Sequence, residues 1–232
     1  MLKLDVTQED DDIVLPPDTL AFLQEFLAEK AEREKQESLL LNGGTADKVD
    51  GIRFSAFEED WQLSQFWYND ATKQTLSAVC KKLISDSDSQ TKIALLSCPS
   101  LYDSIRELDD NTTVRLFEFD RRFSCYGQDF VFYDYNSVTD NPEYMSDYRQ
   151  QFDIVLMDPP FLSEECISKL AQTVKLISKP TAKLILCSGE VVEKWASKYL
   201  GLKKCLFRPE HERNLGNMFA SYANFPMDNL IP

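Results

Sequence analysis

The sequence predicts an α/β fold built on a mostly parallel sheet. Three observations carry that expectation. Short, almost continuous apolar runs recur through the second half of the chain, as strands covered on both faces require. Segments of helical periodicity separate several of them. Two apolar segments joined by a polar stretch close the chain, which suggests an antiparallel hairpin. With 232 residues and 43% hydrophobic content, the chain supports one substantial domain with an N-terminal extension.

Residues 1–16 are acid-rich and aperiodic, so a disordered tail is expected. Behind Pro16 and Pro17, with Asp18 or Thr19 as a candidate cap, Leu20, Leu23, Phe26 and Leu27 fall at helical spacing. That amphipathic helix runs into "LNGGTADKVDG", a flexible linker, and together they make an arm over residues 17–53. The domain proper is expected over 54–232. It opens with Trp61, Phe66, Trp67 and Tyr68, aromatics that either seal the end of a core or bind a ligand, before a helical pattern through Leu76, Val79, Cys80 and Leu83.

Strands are expected over 92–97, 113–119, 129–133, 152–157 and 183–187, and helices over 101–108, 163–177 and 190–199. The closing hairpin is expected from 202–208 and 217–225.

The formal charge of −14 is unevenly placed: residues 1–60 hold 16 acidic and 6 basic side chains, so the remainder carries only −4. No basic stripe is present, so a nucleic-acid partner is not expected, and the acidity suits a basic protein partner. No apolar run approaches the ~20 residues of a membrane span, and the acidic N-terminus is unlike a signal peptide. A cytoplasmic monomer is the expectation. The six cysteines are scattered without a CxxC pair and His211 is the one histidine, which points to reduced thiols and no metal site.

In an open parallel sheet, ligands bind beyond the carboxyl ends of the strands, near the switch in strand order. That rule selects Ser97, Cys98, Pro99 and Ser100 after the first strand, and Glu118, Phe119 and Asp120 after the second. Asp134 and Tyr135 follow the third, and Asp158, Pro159, Pro160 and Phe161 the fourth. Any one acid at a strand end is explained by a turn or cap. Jointly they suit a nucleoside, whose ribose hydroxyls and adenine amine donate to carboxylates. Neither GxGxxG nor GxxxxGK[ST] occurs. A dinucleotide or triphosphate is therefore disfavoured, and S-adenosylmethionine, a nucleoside without phosphate, fits.

The "DPPF" of Asp158 to Phe161 then acquires a task. Methyl transfer from a sulfonium requires an amine lone pair about 3–3.5 Å from the methyl carbon. Two prolines fix φ and carry no N–H, leaving backbone carbonyls and the Asp158 carboxylate to accept the amine's hydrogens. Phe161 can stack on a base or cover an alkylammonium stem.

Five stretches, "EDWQLSQFWY", "FEFDRRF", "YGQDFVFYDYN", "DPPFLSEEC" and "RNLGNMF", resemble the eukaryotic elongation factor 1-alpha lysine methyltransferase family, over roughly residues 54–225. The resemblance implies a Rossmann-like class I methyltransferase with a seven-stranded, mostly parallel sheet and a C-terminal antiparallel hairpin. It also implies S-adenosylmethionine as cofactor and a lysine of elongation factor 1-alpha as acceptor, with Asp158, Pro159, Pro160 and Phe161 as the catalytic motif. Ser97, Pro99, Glu118, Asp120, Asp134 and Tyr135 are the expected cofactor contacts. The glycine-rich first motif usual in this class is replaced by "SCPS", so Gln62, Gln65 and Trp67 are candidates for the methionine end. "RNLGN" shapes a substrate groove or is merely a hairpin loop. Two other functions stay open: an N6-adenine methyltransferase of DNA or RNA, and a non-catalytic adenosine-binding scaffold.

Overall fold

The computed structural model describes residues 57–86, 90–141, 143–213, 215 and 218–232. The expected tail, amphipathic helix and linker lie outside the described residues. Seven strands form one sheet: β1 (Lys92–Leu96), β2 (Thr113–Glu118), β3 (Phe130–Phe132), β4 (Phe152–Met157), β5 (Ser178–Gly189), β6 (Lys203–Lys204) and β7 (Phe219–Ala223). Their order is β3-β2-β1-β4-β5-β7-β6. The first five pair in parallel, and β7 runs antiparallel to both β5 and β6. The α/β expectation and the closing hairpin therefore hold.

Alternation explains the apolar runs. Ile93, Leu95, Leu116, Ile154 and Leu156 belong to one buried cluster, whereas Ala94, Leu96, Phe117, Val155 and Met157 belong to the other. Successive side chains thus enter opposite cores, so every position of a central strand must be apolar. The first core is covered by α1 (Asp70–Ser85) and the short α2 (Tyr102–Arg106). Asn69 starts α1 by accepting the Thr72 N–H, and Leu76, Val79 and Cys80 supply the buried stripe. A single turn, α3 (Ser137–Asp140), follows β3. The second core is covered by α4 (Glu164–Ile177), capped by Ser163 with Glu164 and Glu165 in its first turn.

Three elements differ from expectation. β5 begins at Ser178, directly after α4, because its first residues pair irregularly with β4: the register slips between Phe152↔Ser178 and Ile154↔Lys183. The expected helix over 190–199 splits into a 3-10 turn, α5 (Glu193–Trp195) and a wide π turn, Ala196–Leu200. The expected strand 202–208 shrinks to two residues. There the Asp228 carboxylate takes the N–H groups of Leu206 and Phe207, at 3.0 and 3.3 Å, and removes them from the ladder.

Candidate active site

The chain leaves β1 toward β2 and β3 on one side and returns to place β4 on the other. The carboxyl ends of β1 and β4 are thus the switch point, where a crevice is expected. A cavity of about 590 Å³ lies there, within the range that holds small molecules. It brings together Ser97, Pro99, Glu118, Asp134, Tyr135, Asp158, Pro159, Pro160 and Phe161 with Gln62, Gln65 and Trp67 from the segment before α1.

Asp120 is the exception. It does not line the cavity; its carboxylate is 2.7 Å from the Arg122 guanidinium, accepts the Gln65 amide at 3.1 Å and caps the following turn through the Arg122 N–H. Those partners turn it away, so the acid of β2 that faces the cavity is Glu118. Glu118 accepts the N–H groups of Phe119 and Asp120 on one oxygen, at 2.9 and 3.0 Å. Burial nevertheless pushes its carboxyl up to about 7.

Gln65 has a similar fate. Its amide donates to Asp120 and accepts from Arg122, so it braces the cavity wall rather than offering an unengaged group to a ligand. Trp67 is buried, with its indole N–H on the Phe57 carbonyl and its backbone N–H on Glu59. Glu59 also accepts from the Trp61 indole and pairs with Arg213 at 3.4 Å, fastening the segment to the C-terminal loop. Gln62 remains exposed at the rim. The four aromatics thus divide: Trp67 and Tyr68 are core, Phe66 lines the cavity, and Trp61 is exposed.

The "SCPS" turn carries a strained residue. Ser97 adopts φ 55°, a left-handed conformation that glycine takes more easily. Its N–H is held by the Phe117 carbonyl at 2.9 Å. Asp134 accepts the Asn136 N–H and its own N–H meets the Tyr144 hydroxyl, while Tyr135 leans edge-on against Phe161 with ring centroids 6.1 Å apart.

Asp158 continues from β4, its N–H on the Leu96 carbonyl at 3.0 Å. Burial first, then the charge of Glu118, raises its carboxyl to about 7, while the nearby Tyr68 hydroxyl opposes the rise. Pro159 is buried, and Phe161 is 45% exposed at the mouth. The arrangement offers two carboxyls that titrate near neutrality, one wall of aromatics and one exposed ring at an entrance.

Sequence reasoning assigned no role to His211, Asn136, Leu162 and Phe219, all of which line this cavity. His211 packs between Tyr68 and Phe219, and burial drops its imidazole to about 4, so it is neutral at pH 7. It stood in a polar connector, "PEHERNLG", where nothing local marks a cavity wall. Among the described residues no group of three or more His, Cys, Asp or Glu side chains converges on a metal position. All six cysteines are free thiols.

A family model described as "Probable N6-adenine methyltransferase" matches residues 59–227. Protein-lysine N-methyltransferase CG9154 of Drosophila melanogaster is 52% identical over 227 residues, covering 96% of this chain and 98% of its own. EEF1A lysine methyltransferase 1 of Gallus gallus is 43% identical, covering 94% and 96%, and that of Homo sapiens is 41% identical, covering 94% of each chain. The chain belongs to the EEF1A lysine methyltransferase 1 family. The two descriptions differ in acceptor, an adenine in one and a lysine in the other. They share an amine receiving a methyl group.

Proposed function

We propose that this chain is an S-adenosylmethionine-dependent protein-lysine N-methyltransferase acting on translation elongation factor 1-alpha. The observation that carries the reading is the convergence of Glu118 and the Asp158–Phe161 loop on one switch-point cavity, in a chain that aligns almost end to end with lysine methyltransferases.

The cavity fits the cofactor in size and donor chemistry. Glu118 offers a carboxylate to ribose hydroxyls, Asp134 one to an adenine amine, and no phosphate cradle is needed. S-adenosylmethionine supplies an electrophilic methyl group on a sulfonium. The protein's own residues prepare the acceptor. Phe161 covers the aliphatic stem of the entering lysine, and Asp158 with the loop carbonyls accepts its N–H groups.

A lysine with an ordinary pKa near 10.4 is neutral about once in 2,500 molecules at pH 7, a cost of roughly 4.6 kcal/mol. Burial beside Phe161 and Phe66 favours the neutral amine. Asp158, titrating near 7, is matched to receive the ammonium proton. The freed lone pair would then be free to form the N–C bond with the methyl group that the bound cofactor supplies, the C–S electron pair staying with sulfur. The product is a methylated ammonium and a neutral thioether.

The negative charge concentrated in residues 1–60 and the absence of a basic stripe in the sequence favour a basic protein over nucleic acid, and a cytoplasmic monomer is part of the same reading. Purified protein with methyl-labelled S-adenosylmethionine and elongation factor 1-alpha should place label on a lysine. Label on oligonucleotides instead would assign the adenine acceptor, and label on neither with cofactor bound would make the chain a scaffold.

A further inference from the structure

Tyr68 is held rigidly beside the cavity without contributing to its lining. Its residue pairs with His211 in an isolated antiparallel bridge, flanked by Glu212 N–H on the Trp67 carbonyl at 2.8 Å and Asn69 N–H on the Glu210 carbonyl at 3.0 Å. The His211 ring lies 5.0 Å from the Tyr68 ring at 34°. The side chain is wholly buried, and its hydroxyl has no hydrogen bond of ordinary geometry. A buried hydroxyl in that condition is costly and calls for a reason.

The groups that face it supply one. Burial comes first in raising the Tyr68 hydroxyl; among the neighbouring groups Asp158 acts most strongly, followed by the Cys187 thiol of β5 and the Cys98 thiol after β1. Both thiols are raised by burial and stay protonated. Cys98 in turn faces Glu118 and Cys80. Asp158 is faced by Tyr68 and by Glu118, and among the described residues no cation acts on it. His211 is neutral. The hydroxyl, kept protonated by burial, is therefore the group placed to donate toward the Asp158 carboxylate from behind.

We propose that Tyr68 is a positioning residue for methyl transfer: its hydroxyl donates to the ionised Asp158 carboxylate, aiming the other oxygen at the acceptor amine and holding it ready to take the amine's proton. The proposal rests on the methyltransferase reading. The donation closes as Asp158 ionises, and the clamp of residues 67–69 on residues 210–212 keeps the phenol from following the substrate. His211 serves as the packing surface that fixes the ring.

The test compares Tyr68→Phe with the unaltered protein. The substitution keeps the ring and its packing against His211, so folding is retained. Carbon-13 carboxyl NMR of aspartate-labelled protein, with Asp158→Asn identifying the signal, should show the Asp158 titration midpoint move up by about one pH unit. Methyl transfer at pH 7 should fall roughly fivefold, the loss of ionised carboxylate that such a shift produces, and the deficit should close by pH 9. The cofactor KM at pH 9, where Asp158 is ionised in both proteins, should not change. Tyr126→Phe removes another buried hydroxyl without a hydrogen-bond partner among the described residues, one on which Asp103 rather than Asp158 acts, and should move neither readout. An unmoved Asp158 midpoint, or a deficit equal at every pH, overturns the role given to Tyr68. Absence of transfer by the unaltered protein would instead overturn the functional reading, while the titration still decides the Tyr68–Asp158 contact.

Discussion

Glu118 and Asp158 face one cavity from the ends of the two strands that flank β1, and the charge of the first opposes ionisation of the second. Both carboxyls stand near 7, well above their ordinary values near 4. The folded protein therefore binds more protons at these groups than the unfolded chain between about pH 4 and 7. Their contribution to stability is fully present below pH 4 and is lost as pH rises through 7. In thermal unfolding across that range, Asp158→Asn and Glu118→Gln should each gain melting temperature relative to the unaltered protein as pH increases. A gain that does not grow with pH would contradict the raised carboxyls.

A cation in the cavity reverses the preference for protonation. Binding of S-adenosylmethionine should therefore release protons near pH 6–7 and tighten toward pH 8. Calorimetry in buffers of different ionisation heat reads that release directly. The neutral thioether product should release fewer protons.

The two acids of the β2 end should separate cleanly on substitution. Glu118→Gln should weaken cofactor binding about tenfold or more, because hydrogen bonds to a charged acceptor are lost, each worth about 1.5–3 kcal/mol. Asp120→Asn should chiefly lower the melting temperature, since its partners are Arg122 and Gln65 rather than the cavity. Cofactor titration and thermal unfolding on the same samples distinguish the outcomes; the opposite pattern would return Asp120 to the cofactor site.

Asp158→Ala should abolish transfer while leaving most cofactor binding, and Phe161→Ala should lower the rate with lysine substrate without measurable loss of stability, as its ring is half exposed. Steady-state kinetics with binding controls checks both. For the unaltered protein, when chemistry limits the rate, transfer should accelerate from pH 7 to 9 as the lysine is deprotonated. A flat profile in that regime would argue against a proton lost before transfer.

Gly189 lies against the cavity wall. An added Cβ would come within 2.8 Å of a Leu162 methyl. Because that methyl is the end of a flexible side chain, Gly189→Ala should displace Leu162 into the cavity, weakening ligand binding several-fold with little change in melting temperature. Equal loss of both would indicate instead that the strand itself had shifted.

The central strands and α4 were legible because their signals are local: unbroken apolar runs, and Ser163 before a helical stripe. The strand-end rule also reached the cavity, since the side of a parallel sheet that binds ligand follows from topology alone. What escaped depended on partners distant in sequence. Nothing near Asp120 announces that Arg122 and Gln65 will occupy it. His211 becomes a cavity wall through pairing with Tyr68, 143 positions earlier, and β6 is cut short by an aspartate from the final turn.

That last contact also bears on how molecules of this protein meet one another. β6 is one of the sheet's two edge strands, and an open edge offers a row of amides onto which a second chain can add. Asp228 occupies the amides of Leu206 and Phe207 just where such a row would lengthen, and exposed Lys203 and Lys204 hold the two positions that remain. Protection of this edge from edge-to-edge aggregation is thus lodged in a carboxylate four residues before the last residue given.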